Sequence, residues 1–142
     1  MRQLSQYFED YEEAHRTFGN EVCHFIGIPM IVVTLLGLLS AWVLLDSPIR
    51  IDGGLLLWGL GTLFYLAVGW RLGAPFSLVL LGAYFVGRTV PLAWLWAGFA
   101  LGWLFQGIGH GVYEKKSPAF VRNLQHILIG PLWIFARALR VR

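Results

Sequence analysis

Polar and apolar residues fall in long blocks along this chain instead of alternating. Residues 3–18 are mostly polar and read as a helix. Tyr7, Tyr11 and His15 recur there every four residues, which puts them on one helical face. Gly19-Asn20 reads as a stop or break in that helix. Four apolar segments follow. Residues 25–45 are long enough to cross a bilayer, which takes about 20 residues. A polar turn at 46–53, containing Pro48, Asp52 and Gly53, leads to a second span over 54–70. A short turn at 71–75 precedes a third, short span over 76–87. Arg88-Thr89 interrupts it, and a fourth span covers 90–109. The competing reading makes segments two and three one buried hairpin. Ser117-Pro118 reads as a helix start, with Ser as the cap and Pro at the first helical position. The apolar stretch 119–139 is interrupted by Arg122, Asn123, Gln125, His126 and Pro131. It reads as one or two helices at the membrane interface or packed on the bundle, because a fifth crossing would bury several polar groups in lipid. The pattern predicts an all-α integral membrane protein. It has about four transmembrane helices, an N-terminal polar helix and a C-terminal interfacial helix.

Composition supports that class. The 142 residues make a single membrane domain, 57% hydrophobic and only 13% charged, whereas soluble domains carry about 25% charged residues. Seven Trp residues suit membrane interfaces. The net charge of +3 is no nucleic-acid footprint, since the basic residues crowd the C-terminal tail beside apolar segments. Cys23 is the single cysteine, so no intramolecular disulfide forms. It adjoins His24, but a lone Cys is usually a small buried apolar residue. The N-terminus begins with an acidic, polar stretch, unlike a cleaved signal peptide. Charge counting fixes the expected orientation. With four crossings, nine of the eleven Lys and Arg residues share a side with both termini, and only Arg50 and Arg88 lie opposite. The positive-inside rule then places both termini in the cytoplasm, at a bacterial inner membrane or the endoplasmic reticulum.

All four histidines, His15, His24, His110 and His126, flank the apolar body, and none lies between residues 25 and 109. Four crossings bring all of them to the cytoplasmic face. Neutral imidazole is the commonest side-chain metal ligand, so the cluster is a candidate metal site. His15 and His24 are nine residues apart, about 900° of rotation on one straight helix. They would face opposite ways, so their meeting requires the break at Gly19-Asn20. Pro118 and the polar segment around it can likewise turn the chain between His110 and His126. Each histidine has a polar residue at helical spacing: Tyr11 for His15, Asn20 for His24, Gln106 and Glu114 for His110, Asn123 for His126. Metal-bound histidines commonly donate their second ring N–H to such a partner. The plainer reading is that interfacial histidines only satisfy hydrogen bonds. It weighs least on His24 and His110, which end spans beside polar residues that are costly to bury. For Tyr7, Phe8 and the Trp residues, packing and interface anchoring outweigh chemistry. Glu9, Asp10, Glu12 and Glu13 read as a solvated face. Lys115 and Lys116 read first as topology charges and second as attractors for an anionic substrate.

No glycine-rich phosphate loop or nucleophile elbow is present, and the seventeen glycines sit mostly in spans, where close helix packing explains them. Membrane di-iron hydroxylases and desaturases need about twice as many histidines. The chain instead resembles the 2-hydroxy fatty acid dioxygenase family in two blocks. Tyr11, His15, Asn20, His24, Gly27 and Pro29 form the first. Trp103, Gln106, Gly109, His110, Glu114, Pro118 and Ala119 form the second, with Asn123 and Gly130-Pro131 following. The blocks lie at both ends, so the resemblance covers nearly the whole chain. It departs at Gly107, where a bulky aromatic is expected, and at Arg137, where many members carry an acid. The resemblance implies one non-haem iron(II), dioxygen as co-substrate, and shortening of a 2-hydroxy fatty acid by one carbon. His15, His24 and His110 carry over as ligands and catalytic residues, and His126 is a fourth candidate ligand. Ligand type alone leaves zinc open. The alternatives are a b-type haem protein with His24 and His110 as axial ligands, and a non-enzymatic membrane scaffold. A transporter fits poorly with spans that lack ionisable residues.

Overall fold

The computed structural model describes residues 4–13, 15–115 and 125–140. The chain is mostly helical. Helix α1 covers Leu4–Glu13, α2 Phe18–Ser40, α3 Gly53–Thr89 and α4 Leu92–Ile108. A π-helical segment, Gly109–Glu114, continues directly from α4, and α5 covers Gln125–Ala138. Between α2 and α3, β1 (Val43–Leu45) pairs antiparallel with β2 (Ile51–Asp52). Phe18–Ser40, Gly53–Thr89 and Leu92–Glu114 are long and apolar enough to cross a membrane. The chain divides into two compact units, Met1–Pro29 with Leu101–Arg142, and Met30–Ala100.

In the unit formed by residues 30–100, α3 is not one rod. Gly69 has non-helical backbone angles, and the chain doubles back there. The Trp58 indole N–H donates to the Ser77 carbonyl at 2.8 Å, although nineteen residues of straight helix span about 28 Å. The Tyr65 and Phe76 rings lie 4.9 Å apart, and Gly73 packs so closely on the Tyr65 carbonyl that a side chain there would clash. The reversal falls at Gly69, upstream of the expected turn at 71–75. The helix resumes ahead of Pro75, so the third apolar segment runs on to Thr89 and is not short. Helix α2 ends at Ser40, and residues 43–45, expected within the first span, form β1 instead.

Several buried polar groups of this unit are satisfied internally, as an apolar surrounding favours, whereas the Thr62 hydroxyl has no partner among the described residues. Asp52 is fully buried. One carboxylate oxygen accepts from the Leu55 N–H at 3.0 Å, capping α3, and the other accepts from the Tyr84 hydroxyl at 2.8 Å. Arg50 lies 3.6 Å from that second oxygen. The hydroxyls of Thr34, Ser40 and Ser77 donate to carbonyls three or four residues back. Gly87 meets Gly37 closely: a Cβ on Gly87 would stand 2.6 Å from the Val33 carbonyl oxygen, the close approach that small residues permit.

In the unit formed by both ends of the chain, α1 packs on α5. Tyr7 and Tyr11 are its buried residues, one turn apart, and Tyr7 donates to the Gln125 side chain at 3.0 Å. Helix α1 ends at Glu13 and α2 begins at Phe18, so the break lies ahead of the expected Gly19-Asn20. Both of those residues lie in the first turn of α2. Gly19 is small there because the Tyr113 ring occupies the place of a side chain. The expected helix start at Ser117-Pro118, with Lys116, Arg122 and Asn123, lies outside the described residues.

Replacing Tyr84 with Phe removes one of the two bonds that hold the buried Asp52. The expected cost is about 1–3 kcal/mol, read as a lower unfolding midpoint in detergent. An unchanged midpoint would show that the Asp52–Tyr84 bond does not hold α3 closed.

Candidate metal centre

His15 lies in the short linker after α1, His24 in α2 just past its first turn, and His110 in the π-helical segment. All three are buried, and each offers a ligand atom within 4.8 Å of the other two. Ring centroids stand 4.4 Å apart for His15 and His24, 4.9 Å for His15 and His110, and 4.7 Å for His24 and His110.

Hydrogen bonds decide which nitrogens face one another. His15 Nδ1 lies 2.6 Å from the Tyr11 carbonyl oxygen, and His24 Nδ1 lies 2.8 Å from the Asn20 carbonyl oxygen. A carbonyl can only accept, so both Nδ1 atoms carry the proton and both Nε2 atoms carry lone pairs. Those two Nε2 atoms stand 3.0 Å apart. Burial pushes the His15 pKa down to about 4, with the neighbouring histidines adding to the effect and the Tyr11 carbonyl opposing it. His15 is therefore neutral at physiological pH. Two facing lone pairs repel unless a cation lies between them. Adjacent nitrogens on one ion, with bonds of about 2.1 Å, come roughly 3 Å apart. The third imidazole fits the same need, since His110 Nδ1 is buried with no hydrogen-bond partner among the described residues. The donor set suits a first-row transition metal.

The expected partners are present, but their roles differ. Tyr11 and Asn20 hold their histidines through backbone carbonyls, which any residue four positions back on a helix would supply. The Tyr11 ring adds a stack on His15, with centroids 4.0 Å apart and planes 11° from parallel. Burial raises the Tyr11 pKa, so its hydroxyl stays neutral. Gln106 is buried, with its Nε2 lacking a partner among the described residues and standing close to Gly27. Glu114 bonds the start of α2 instead of His110. Four-residue spacing from Gln106 to His110 to Glu114 loses its meaning because the last two lie in π-helix, where Lys115 N–H bonds the His110 carbonyl and the repeat is longer. Lys115 itself is exposed, while Lys116 and Asn123 lie outside the described residues.

His126 is buried on α5 outside the group of three, with the Tyr11 ring 6.2 Å away edge-on, and still near enough to act on the charge of His15. Trp133 is the contributor that sequence reasoning passed over as a membrane anchor. It is buried against Tyr11 at 5.2 Å and His15 at 6.0 Å between centroids. Its indole N–H donates to Glu12, which stays exposed, at 3.3 Å. The signal was available: His126, Gly130, Trp133 and Arg137 recur at four, three and four residues, one helical stripe. Gly130 meets the Tyr11 hydroxyl, and Arg137 pairs with Glu21 and covers the Trp133 ring. Beside His15 lies an open cavity of about 570 Å³. Glu9, Glu12 and Glu13 of α1 line it with Arg16, Trp133 and Arg137, so its cations are two arginines and not Lys115. At Gly107, the other departure from the resembled pattern, a side chain would meet nothing.

Comparisons with known proteins bear on the whole chain. A family described as 2-hydroxy-palmitic acid dioxygenase Mpo1-like matches residues 1–141. A stretch of 37 residues is 49% identical to the 2-hydroxy-palmitic acid dioxygenase MPO1 of Saccharomyces cerevisiae, covering 25% of this chain and 21% of the yeast protein. No solved structure matches the chain.

Metal analysis of protein purified without oxygen should find one transition-metal ion per chain. His24→Ala should lose it, and His126→Ala should keep most of it. Equal retention in the two variants would exclude the trio as the metal-holding group.

Proposed function

Because the chain belongs to the 2-hydroxy-palmitic acid dioxygenase Mpo1-like family, we propose that it is an iron(II)-dependent membrane dioxygenase that shortens 2-hydroxy fatty acids by one carbon. The observation that carries this reading is the pair of unprotonated Nε2 atoms of His15 and His24, 3.0 Å apart, with His110 beside them. His15, His24 and His110 would hold the iron and serve the catalysis. Bound iron(II) supplies the electron transfer that activates dioxygen. Mutual contact of the three rings favours one non-haem ion over a haem between His24 and His110.

The remaining work falls to this chain's own groups. The Tyr11 and Asn20 carbonyls hold the imidazoles in the tautomer that presents Nε2. Tyr11 and Trp133 cover His15 with aromatic surface. The cavity beside His15 admits a polar head, and Arg16 offers a cation for its carboxylate, while Arg137 is paired with Glu21. The acyl tail stays in the bilayer. The reaction balances without a further reductant. One dioxygen takes up all the electrons released when the second carbon becomes a carboxyl group and the first leaves as carbon dioxide, with water as the remaining product.

The reversal at Gly69 supports four crossings, with the two arms of α3 as separate spans. Four crossings put both termini, and with them the histidines, on the side rich in Lys and Arg, the cytoplasmic face. A substrate with a polar head and an apolar tail meets its site at that interface.

Iron-loaded protein in lipid nanodiscs should consume dioxygen with 2-hydroxypalmitate, release pentadecanoic acid, and ignore palmitate, which lacks the chelating hydroxyl. Uptake with neither acid would remove the dioxygenase reading and leave the metal site to another chemistry.

A further inference from the structure

The Glu114 carboxylate lies at the start of α2, 94 to 98 residues away in sequence. The first N–H groups of a helix have no partner within it, and the helix dipole favours a negative charge there. Arg16 and Thr17 immediately precede α2, and their N–H groups likewise have no helical partner. Here both oxygens of Glu114 accept from the Arg16 N–H at 3.2 Å. Oε2 also accepts from the Thr17 N–H at 3.1 Å, the Thr17 hydroxyl at 2.9 Å and the Asn20 side-chain amide at 3.3 Å.

Each contact adjoins a different histidine. Arg16 follows His15 directly. Asn20 is the residue whose carbonyl holds His24 Nδ1. Glu114 itself ends the π-helical segment that carries His110. The three imidazoles come from three separated stretches of backbone, and this one carboxylate is bonded to, or part of, all three stretches. Oε2 already receives three donors besides Arg16, so it is committed to N–H and O–H groups and not to a metal.

We propose that Glu114 is the positioning residue of the metal centre: its carboxylate, clamped on the start of α2, sets the spacing of His15, His24 and His110 without being a ligand. The proposal rests on the reading of those histidines as a metal site. A neutral amide in place of the carboxylate turns an N–H donor toward the N–H groups of α2 and loosens the clamp. The histidines are then left to be gathered by the metal itself, which lowers its affinity.

The test uses the full chain in detergent without oxygen, with cobalt(II) alone as the probe. Binding is followed by its visible ligand-field bands, and the fold by far-ultraviolet circular dichroism. Glu114→Gln should bind cobalt about 10- to 100-fold more weakly, the range seen when groups that orient ligands are lost, with unchanged band positions at saturation. Thr17→Val, which deletes one donor and keeps the carboxylate, should weaken binding by roughly three- to tenfold. It also serves if Glu114→Gln fails to fold. Wild-type affinity in folded Glu114→Gln, or in Thr17→Val, overturns the positioning role while leaving the metal site intact. Shifted bands at saturation in Glu114→Gln overturn it by making Glu114 a ligand. A wild-type protein that takes up no cobalt overturns both readings.

Discussion

In a chain this apolar, polar groups are few, and leaving a buried one without a partner is costly. The bonds between Glu114 and the start of α2 meet that constraint where most else depends on it. The linker after α1 ends in N–H groups that no helix partner can satisfy. A carboxylate from the far end of the sequence takes them up. Hydrogen bonds to a charged group are the stronger kind, and several converge here. They tie the His15 linker, the first turn of α2 and the π-helical segment to one point. Close packing maintains that approach: Gly109 lies against the Asn20 side-chain oxygen, and Gly19 against the Tyr113 ring.

The chemistry of the trio follows from that join and from two ordinary helix features. A carbonyl four residues back is always within reach of a histidine near the end or start of a helix. Tyr11 and Asn20 supply those carbonyls and thereby fix the protons on Nδ1. The lone pairs then point at each other in a buried place where water is scarce, and that electrostatic conflict is what a metal resolves. The packing of α1 on α5 adds aromatic cover over His15 through Tyr11 and Trp133. The open cavity beside His15 is lined by Trp133 and by the charged side chains of Glu9, Glu12, Glu13, Arg16 and Arg137.

Several features were legible in the residues alone. Blocks of apolar sequence announced helices long enough to cross a membrane, and the flanks of that apolar body already carried the three histidines that meet, His15, His24 and His110. Other features misled for identifiable reasons. Gly19 looked like a helix break because glycine breaks helices in isolation, but it is needed inside α2 to admit Tyr113. The spacing of Gln106, His110 and Glu114 implied one helical face, because a sequence carries no sign that the helix there widens to π. Trp133 looked like one more interfacial tryptophan, although its spacing with His126, Gly130 and Arg137 already marked one helical face. The turn expected at 71–75 was drawn from Arg71 and Pro75, whereas the chain reverses at Gly69.

The amino-acid sequence by itself determined the class of the protein, its apolar helices and the histidines available for chemistry, since these follow from local hydrophobicity, spacing and residue type. Only the tertiary structure decided which three imidazoles meet, and that Glu114 and not a local residue holds the N–H groups of Arg16 and Thr17 ahead of α2. Those outcomes depend on contacts between residues about a hundred positions apart. No periodicity along the chain encodes such contacts, because they arise only when packing brings the two ends of the sequence together.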